Sequence, residues 1–543
     1  MPRRSFALCL ALAATSSLAA SAPSAPLGYA DARHLLARTG FGPSDAEVRS
    51  VAGMTRSEAV DMLLRGVRTT AVTPPPAFAT GDEPLRPPGP NATPEERKAF
   101  QQRNQREGVA LRGWWVQEML VTPSPLTERM TLFWHNHFVS SQQKVRSARL
   151  MYDQNAILRA NALGSFATLL HAAAKSPAML VYLDVAQSRR GQPNENFARE
   201  VMELFTLGEG HYTEQDVKEA ARAFTGWSLE RETGTYRFRP ALHDPGSKTV
   251  LGRTGTFDGD AVLDIILAQR EAAPFIVAKL WREFVSPEPD AREVQRIAQE
   301  FRARDYDLKV ALRGLLLSDA FWAQANRGTL VKSPAELVVG TMRQLEIANA
   351  PGVPLAVATA GMGENLFAPP NVKGWPGGET WINSNTLLAR KQFLDRIARG
   401  SDLPAPALAR DGMPAVEMRD DMLSVAVPSR GVTPTSAAPG PRPAAAAAPA
   451  ARDASARDDD EEKARARRFA QAVDRALAAV RFDAQAWLAR RTGTTLAAKE
   501  AAAQSLLLPL PAVLADTGAP ASEDGDAVAF VRATLLDPAY ELK

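Results

Sequence analysis

The chain has 543 residues and a formal net charge of +3, with 45% hydrophobic and 23% charged residues. This length exceeds one ordinary hydrophobic core and indicates about two or three packed units. The balanced charge provides no concentrated basic face, so we expect no nucleic acid partner. The only cysteine is Cys9, in a segment that we expect to be removed, which leaves the mature chain without disulfides or cysteine metal ligands.

The first 22 residues have the pattern of a signal peptide. Arg3 and Arg4 supply a positive start, residues 6–14 are apolar, and Ala20-Ser21-Ala22 offers a small-residue cleavage site. We therefore predict cleavage near Ala22 and a periplasmic or secreted protein. The arginine pair leaves general secretory and twin-arginine export open, and a buried first helix is the competing interpretation. No later apolar run is long enough to cross a bilayer, so we expect no membrane span in the mature chain.

Repeated helix-start signals predict an all-α fold. In a capping box, a Ser or Thr side chain and the Glu three residues later each satisfy a backbone N–H at the start of a helix. This pattern occurs at Ser44 with Glu47, Thr55 with Glu58, Thr93 with Glu96, and Ser333 with Glu336. Thr213 with Asp216 opens a further helix. Residues 235–239 are the best strand candidate, so we expect a multi-helix globular body with at most one small β-hairpin.

Composition divides the chain into four regions. After the signal peptide at residues 1–22, residues 23–400 form the main helical domain. Residues 401–457 are rich in alanine and proline, which is typical of a disordered linker that cannot bury a core. Residues 458–543 provide only a few helices, so we expect this C-terminal helical segment to dock on the main body.

The pair His135 and His137 is the first of four constellations that can carry chemistry, since standard catalytic motifs are absent from the sequence. On a helix the two side chains point about 200° apart, so they cannot share a metal there. His137 falls on an apolar stripe, which favours a core histidine with one hydrogen-bond partner. His135 lies on a different face, and we expect it to be freer to act.

The second constellation is the stretch from Glu195 to Glu203. Asn196, Glu200 and Glu203 have helical spacing and share one face, where their oxygens can hold a hard cation or position a general base. The competing interpretation is ion pairing, because Arg199 is within reach of both Glu195 and Glu203.

The third constellation is the loop with His243, Asp244 and Lys248. A histidine beside an aspartate, with a lysine shortly after, can bind an anion or a metal. Because the stretch is rich in turn-forming residues, a plain turn is the competing interpretation.

The fourth constellation is a loop rich in proline and glycine that contains Asn371, Lys373 and Trp375 and is followed by Trp381. Two tryptophans and polar side chains in one loop can line a pocket for a sugar or another flat ligand. Alternatively, the tryptophans fill the helical body and the loop only wraps around it.

These constellations belong to a set of segments that occur in a fixed order. The segments are Arg33-His34-Leu35-Leu36 with Arg38-Thr39-Gly40-Phe41-Gly42, residues 134–138, residues 193–203, Phe224-Thr225-Gly226-Trp227, residues 243–248 and residues 369–378. Together they resemble the bacterial family catalogued as domain of unknown function 1800, over about residues 27–400. Residues 535–540 resemble the last helix of that family, which favours docking of the C-terminal segment.

The resemblance implies an exported protein and carries over no catalytic residues, because the family has no established reaction. Many members are encoded beside a sulfatase-like family, domain of unknown function 1501. The resemblance therefore implies an exported sulfatase-like protein as partner, by association only.

Our leading hypothesis is an exported enzyme that acts on an envelope or extracellular polymer by metal-assisted hydrolysis. The divalent metal would be held by Glu200, Glu203 and His135. The residues predicted to be catalytic are His135, Glu195, Glu200, His243, Asp244 and Lys248. Those predicted to bind ligand are Asn196, Asn371, Lys373, Trp375 and Trp381. The competing hypothesis is a non-catalytic binding or scaffold protein that works with the sulfatase-like partner.

Overall fold

The structure is a computed structural model with helices in nearly every part of the chain. It describes residues 25–81, 88–89, 91–230, 233–347, 349–400, 467–514 and 526–543. The predicted signal peptide and the predicted linker lie outside the described residues, so both assignments stay predictions. None of the helices in these ranges combines the length and the apolar character that crossing a bilayer requires.

The residues that the structure describes contain helices from Gly28 to Leu536. Helices α1 to α10 are Gly28–Thr39, Asp45–Ala52, Arg56–Arg65, Ala77–Thr80, Pro94–Val121, Pro125–His137, Gln142–Val145, Ala148–Ala160, Phe166–Ala174 and Pro177–Tyr182. Helices α11 to α20 are Asn196–Glu203, Glu214–Ala223, Gly259–Leu267, Ala272–Phe284, Ala291–Ala303, Leu308–Leu316, Asp319–Trp322, Pro334–Gln344, Gly352–Gly361 and Ser384–Arg399. Helices α21 to α24 are residues 467–478, Ala484–Ala489, Leu496–Leu507 and Ala527–Leu536. The predicted all-α class is confirmed.

The helix starts confirm the capping pattern in the sequence. Full capping boxes open α2, α3, α5, α12 and α18. In each of them the side chain of the N-cap residue, just before the helix, accepts a backbone N–H. The acidic side chain three residues later accepts the backbone N–H of the N-cap residue. Local chemistry therefore marks these helix starts in the sequence.

Two small antiparallel hairpins interrupt the helices. The predicted strand at residues 235–239 contains β2 (Tyr236–Phe238), which pairs with β1 (Trp227–Leu229). The second hairpin, β3 (Lys248–Val250) with β4 (Arg253–Gly255), was not predicted. Its turn residues have positive φ angles, 48° at Leu251 and 78° at Gly252. Such turns normally use Asn-Gly or Asp-Gly, so a leucine at the first position hides the signal in the sequence.

Helix α6 runs through the centre of the body. Most of its side chains are buried, including the polar Thr127, Glu128 and Arg129. It packs against α8, α5 and α1, and its C-terminal end reaches the loop at Trp375. The C-terminal end of α6 therefore lies next to a loop that contains candidate site residues.

The C-terminal helices α22 and α23 dock on the main body through buried hydrogen bonds. The Arg33 guanidinium donates to the backbone oxygens of Leu506, at 2.9 Å, and Leu507, at 3.1 Å. The indole N–H of Trp487 donates to the backbone oxygen of Gln344 at 3.1 Å. These contacts join residues far apart in sequence, and they confirm the docking predicted for this segment.

A buried acid beside α18 should make stability depend on pH. Burial raises the pKa of the Glu364 carboxyl to about 7 from 4.5, against the opposing effects of the Ala335 N–H and Arg129, and Glu336 raises it further. The folded protein then binds this proton more tightly than the unfolded chain, so the contribution of Glu364 to stability falls as pH rises from about 4.5 to about 7.

We therefore expect Glu364→Gln to stabilise the protein relative to the natural chain by up to about 3 kcal/mol more at pH 8 than at pH 4.5. The glutamine oxygen still accepts the Ala335 N–H, which lies 2.8 Å from the natural carboxylate. Urea unfolding at both pH values measures the difference, with the exposed Glu288→Gln as matched control. If the free energies of unfolding of Glu364→Gln and the natural chain differ by the same amount at both pH values, the raised pKa assigned to Glu364 is contradicted.

Candidate functional site

His135 is buried, which corrects the expectation that it is free to act. Only 3% of its surface is exposed, and its ring lies between Trp115, at 4.6 Å between centroids, and Phe367, at 5.1 Å. The Asn155 amide donates to its Nε2 at 3.1 Å. Burial, together with the charge of Arg159, lowers the pKa of His135 to about 3, so the ring stays neutral in the core.

His137 is the core histidine that the sequence predicted. It is buried at the end of α6, where its Nε2 lies 3.0 Å from the backbone oxygen of Phe205. The Lys279 ammonium lies 3.2 Å from its Nδ1 and also donates to the backbone oxygen of Leu204. Burial and the positive charge of Lys279 hold the pKa of His137 well below its usual value.

The side chains of His243, Asp244 and Lys248 are engaged in hydrogen bonds, two of them to the C-terminal end of α12 and the third within the loop itself. Asp244 receives the Arg222 guanidinium at 2.8 Å, and this hydrogen bond lowers its pKa to about 2. Lys248 is buried and donates to the backbone oxygens of Asp244 and Gly246 at 2.6 and 2.9 Å. His243 Nδ1 lies 3.0 Å from the backbone oxygen of Thr225. These bonds support the plain-turn interpretation for His243, Asp244 and Lys248.

The two tryptophans of the fourth constellation fill the helical body. Trp375 is 4% exposed and Trp381 is 7% exposed, so neither lines an open pocket. The Asn136 side chain clamps the loop by accepting the Trp375 N–H at 2.6 Å and donating to the Trp375 oxygen at 3.1 Å. A side chain at Gly374 would place its Cβ 2.2 Å from the Asn136 oxygen, so only glycine fits there.

Asn371 and Lys373 keep the outer side of this loop polar. Both residues are exposed, and the Asn371 side chain accepts the backbone N–H of Lys373 at 2.8 Å. Asn371 thus shapes the loop, whereas the Lys373 ammonium is available at the surface beside α11. Of the ligand-binding residues predicted in this loop, Lys373 is the one that the structure brings to the other polar groups.

On α11, most of the predicted site residues are engaged in local pairs. Arg199 binds Glu214 at 2.6 Å and reaches Glu195 at 3.4 Å, so Glu195 belongs to a surface ion pair. Glu203 accepts the Tyr212 hydroxyl at 2.5 Å. The remaining acid on this helix is Glu200. Within the described ranges, no hydrogen bond or ion pair involves its carboxyl.

The proposed metal triad is not assembled. The structure groups no three His, Cys, Asp or Glu side chains for a metal ion among the residues that it describes. His135 is enclosed by aromatic rings, while Glu203 is bound to Tyr212. The separation arises because His135 faces the core of the body, whereas Glu200 and Glu203 lie on the outer side of α11.

Glu200 instead lies in a polar cluster that also contains residues absent from the sequence prediction. Asp184, just after α10, receives the Lys144 ammonium at 2.7 Å and the Asn196 amide at 3.5 Å. The Lys144 ammonium also lies 5.7 Å from the centroid of the Tyr182 ring. Asn196 is one helical turn from Glu200. Residues from α7, the α10 end and α11 thus meet at one surface.

Electrostatics raise the pKa of Glu200 above its ordinary value at this surface. Burial and the nearby Glu203 carboxylate raise the pKa of Glu200, while the positive charges of Arg199 and Lys373 oppose the rise. Burial and the Glu200 charge also raise the pKa of Tyr182 to about 12. The cluster therefore combines an acid with a raised pKa, a tyrosine that stays neutral, and an acidic side chain bound by a lysine.

We name Lys144, Tyr182, Asp184, Asn196, Glu200 and Lys373 the α11 cluster. Three of its members, Lys144, Tyr182 and Asp184, were missed by the sequence analysis. The available signal was weak: a capped short helix, α10, ends at Tyr182, and Asp184 follows it with a φ of 59°, a conformation in which aspartate is enriched.

One family model, described as Protein of unknown function (DUF1800), matches residues 34–531. No curated protein and no solved structure matches the chain. The match covers nearly all of the helical body and the docked C-terminal helices, as the order of the sequence segments indicated. This chain is therefore a member of the DUF1800 family.

Proposed function

We propose that this protein is an exported hydrolase that cleaves an envelope or extracellular polymer by general acid–base catalysis, with Glu200 as the acid. The observation that carries the proposal is the half-buried Glu200 carboxyl, which has a raised pKa and is bound by no other residue in the described ranges. A raised pKa favours the protonated form of a carboxyl, which is the form that donates a proton to a leaving group.

The neighbours of Glu200 supply the other roles of such a site. Asp184 is a carboxylate fixed by Lys144, so it can accept the proton of an attacking water. Tyr182 remains a hydroxyl and can donate a hydrogen bond to a substrate oxygen. The Lys373 side chain can stabilise negative charge near Glu200.

Export belongs to the same proposal. The arginine pair, the short apolar run and the cleavage site in residues 1–22 support a periplasmic or secreted location. A polymer outside the inner membrane is then the substrate that the enzyme would meet.

The charges around Glu200 make opposite predictions for two variants. Glu203→Gln removes a negative charge that raises the Glu200 pKa, so the alkaline limb of the pH–rate profile should move to lower pH. Lys373→Met removes an opposing positive charge, so the same limb should move to higher pH. The exposed Lys218→Met, which makes the same charge change as Lys373→Met, should leave the limb in place. The measurement is the release of reducing ends from a panel of polysaccharides between about pH 4 and pH 9.

Two outcomes would overturn the proposal. Shifts of the same sign in the Glu203 and Lys373 variants would mean that Glu200 is not the titrating acid. No cleavage of any polymer, together with co-purification of an exported sulfatase-like protein, would instead favour the scaffold function and a partner of the domain of unknown function 1501 family.

A further inference from the structure

An open surface cavity of about 510 Å³ lies between the β3–β4 hairpin and helix α13, apart from the α11 cluster. Its volume is within the range of small-molecule sites, roughly 300–1,000 Å³. The residues that line it are Arg253, Thr254, Phe257, Ala261, Asp264 and Ile265. The lining thus offers one cation, one carboxylate, one hydroxyl and one aromatic ring.

Arg253 supplies an uncommitted positive charge. It is exposed on β4, and no ion pair or hydrogen bond involves its guanidinium in the part of the chain that the structure describes. A guanidinium is a planar fork of donors that matches a carboxylate with two parallel hydrogen bonds. Phe257 is half-buried beside it and offers an apolar face. Together they suit an anionic group carried on a ring.

Asp264 is an exposed acid that contacts His171. Its Oδ1 lies 3.0 Å from His171 Nε2, and the other nitrogen of that ring lies 2.9 Å from Asp260. The Lys175 ammonium donates to Asp260 at 2.8 Å and so completes a series of hydrogen-bonded side chains that begins at Asp264. Both ring nitrogens of His171 lie within hydrogen-bonding distance of carboxylate oxygens. Asp264 lines the cavity and offers it a hydrogen-bond acceptor.

We propose that this cavity binds an acidic sugar residue, with the carboxylate of the sugar on Arg253, its hydroxyls on Asp264 and its ring face on Phe257. A bare anion such as phosphate fits less well, because the Asp264 carboxylate repels it and Phe257 contributes nothing to its binding. A neutral sugar leaves the Arg253 charge unmatched. An acidic saccharide uses all three side chains at once.

This inference goes beyond the proposed hydrolase and is tested separately from it. The experiment titrates the full chain with galacturonic acid trimer by calorimetry, which detects binding and not cleavage. We expect saturable binding that Arg253→Gln weakens by at least about tenfold, since a charged hydrogen-bonded pair is lost. Asp264→Ala should weaken binding too, and the exposed Arg65→Gln, with the same charge change on α3, should not.

Maltotriose, a neutral trimer, and inorganic phosphate are the comparison ligands. Weak or absent binding of both is expected. Equal affinity for maltotriose, or galacturonate affinity unchanged in Arg253→Gln, would overturn the proposal. Arg253 and Asp264 are exposed, so both variants should fold, and their thermal unfolding curves check this. Failure of hydrolysis in the α11 cluster leaves this result readable, because the titration needs no turnover.

Discussion

Replacing Glu200 with glutamine should slow polymer hydrolysis by roughly 10²- to 10⁴-fold, the usual contribution of a general acid. Glutamine keeps the size and the hydrogen-bonding atoms of the side chain but has no proton of suitable acidity to donate. The natural carboxyl carries no ion pair or hydrogen bond to the other described residues, so its loss leaves no buried charge without a partner. The rate should therefore fall while the thermal unfolding midpoint stays nearly unchanged. The measurement is kcat at the optimum pH of the natural protein.

Glu209→Gln is the matched control for this variant. Glu209 is an exposed acid a few residues further along the chain, and it makes the same charge change away from the α11 cluster. Its kcat should equal that of the natural protein. A Glu200→Gln variant that retains full activity, with a normal unfolding curve, would contradict the assignment of Glu200 as the acid.

Helix positions could be predicted where local chemistry decides them. Ser333, for example, caps α18 and bonds Glu336 as its spacing indicated. Such signals are complete within four residues, so no tertiary information is needed. The hairpin at Lys248–Val250 was missed because Leu251 adopts a positive φ that the surrounding fold imposes.

The core position of His135 could not be predicted, because α6 is buried on nearly all sides. A prediction from sequence periodicity assumes that the polar face of a helix is exposed to solvent. In α6, however, polar residues are buried against partners from remote segments. Glu128, for example, faces Arg159 on α8. A helix whose charged residues are neutralised by distant charges looks amphipathic in sequence and is central in the structure.

The α11 cluster was half predictable. Asn196 and Glu200 share a helix face, and their spacing shows this directly. Asp184 and Lys144 reach them only through the packing of α7 and α10, and neither residue forms a motif with α11 in the sequence. The constellations at Lys373 and Glu200 were predicted separately, and the approach of the loop to α11 joins them.

Removing the buried acid Glu128 should destabilise the protein by about 3–5 kcal/mol, the usual cost of leaving a buried charge alone. Glu128 is 1% exposed and Arg159 is 2% exposed. The Arg159 guanidinium binds both oxygens of Glu128, at 2.6 and 2.8 Å, and the Trp115 indole N–H donates to the same carboxylate at 2.9 Å. Glu128→Ala therefore leaves the Arg159 guanidinium and the Trp115 indole N–H in the core without their carboxylate partner. Urea unfolding would detect the loss of stability as a lower midpoint.

The exposed pair of Glu293 and Arg296 provides the contrast. Its side chains are 35% and 52% exposed, so Glu293→Ala should cost at most about 1 kcal/mol. A double variant, Glu128→Met with Arg159→Met, removes both buried charges and should recover much of the stability lost in Glu128→Ala, because apolar side chains of similar volume often replace a buried ion pair. If Glu128→Ala costs no more than Glu293→Ala, the buried pair is not what holds α6 against α8. Recovery in the double variant would show that apolar side chains of similar volume can replace the buried pair.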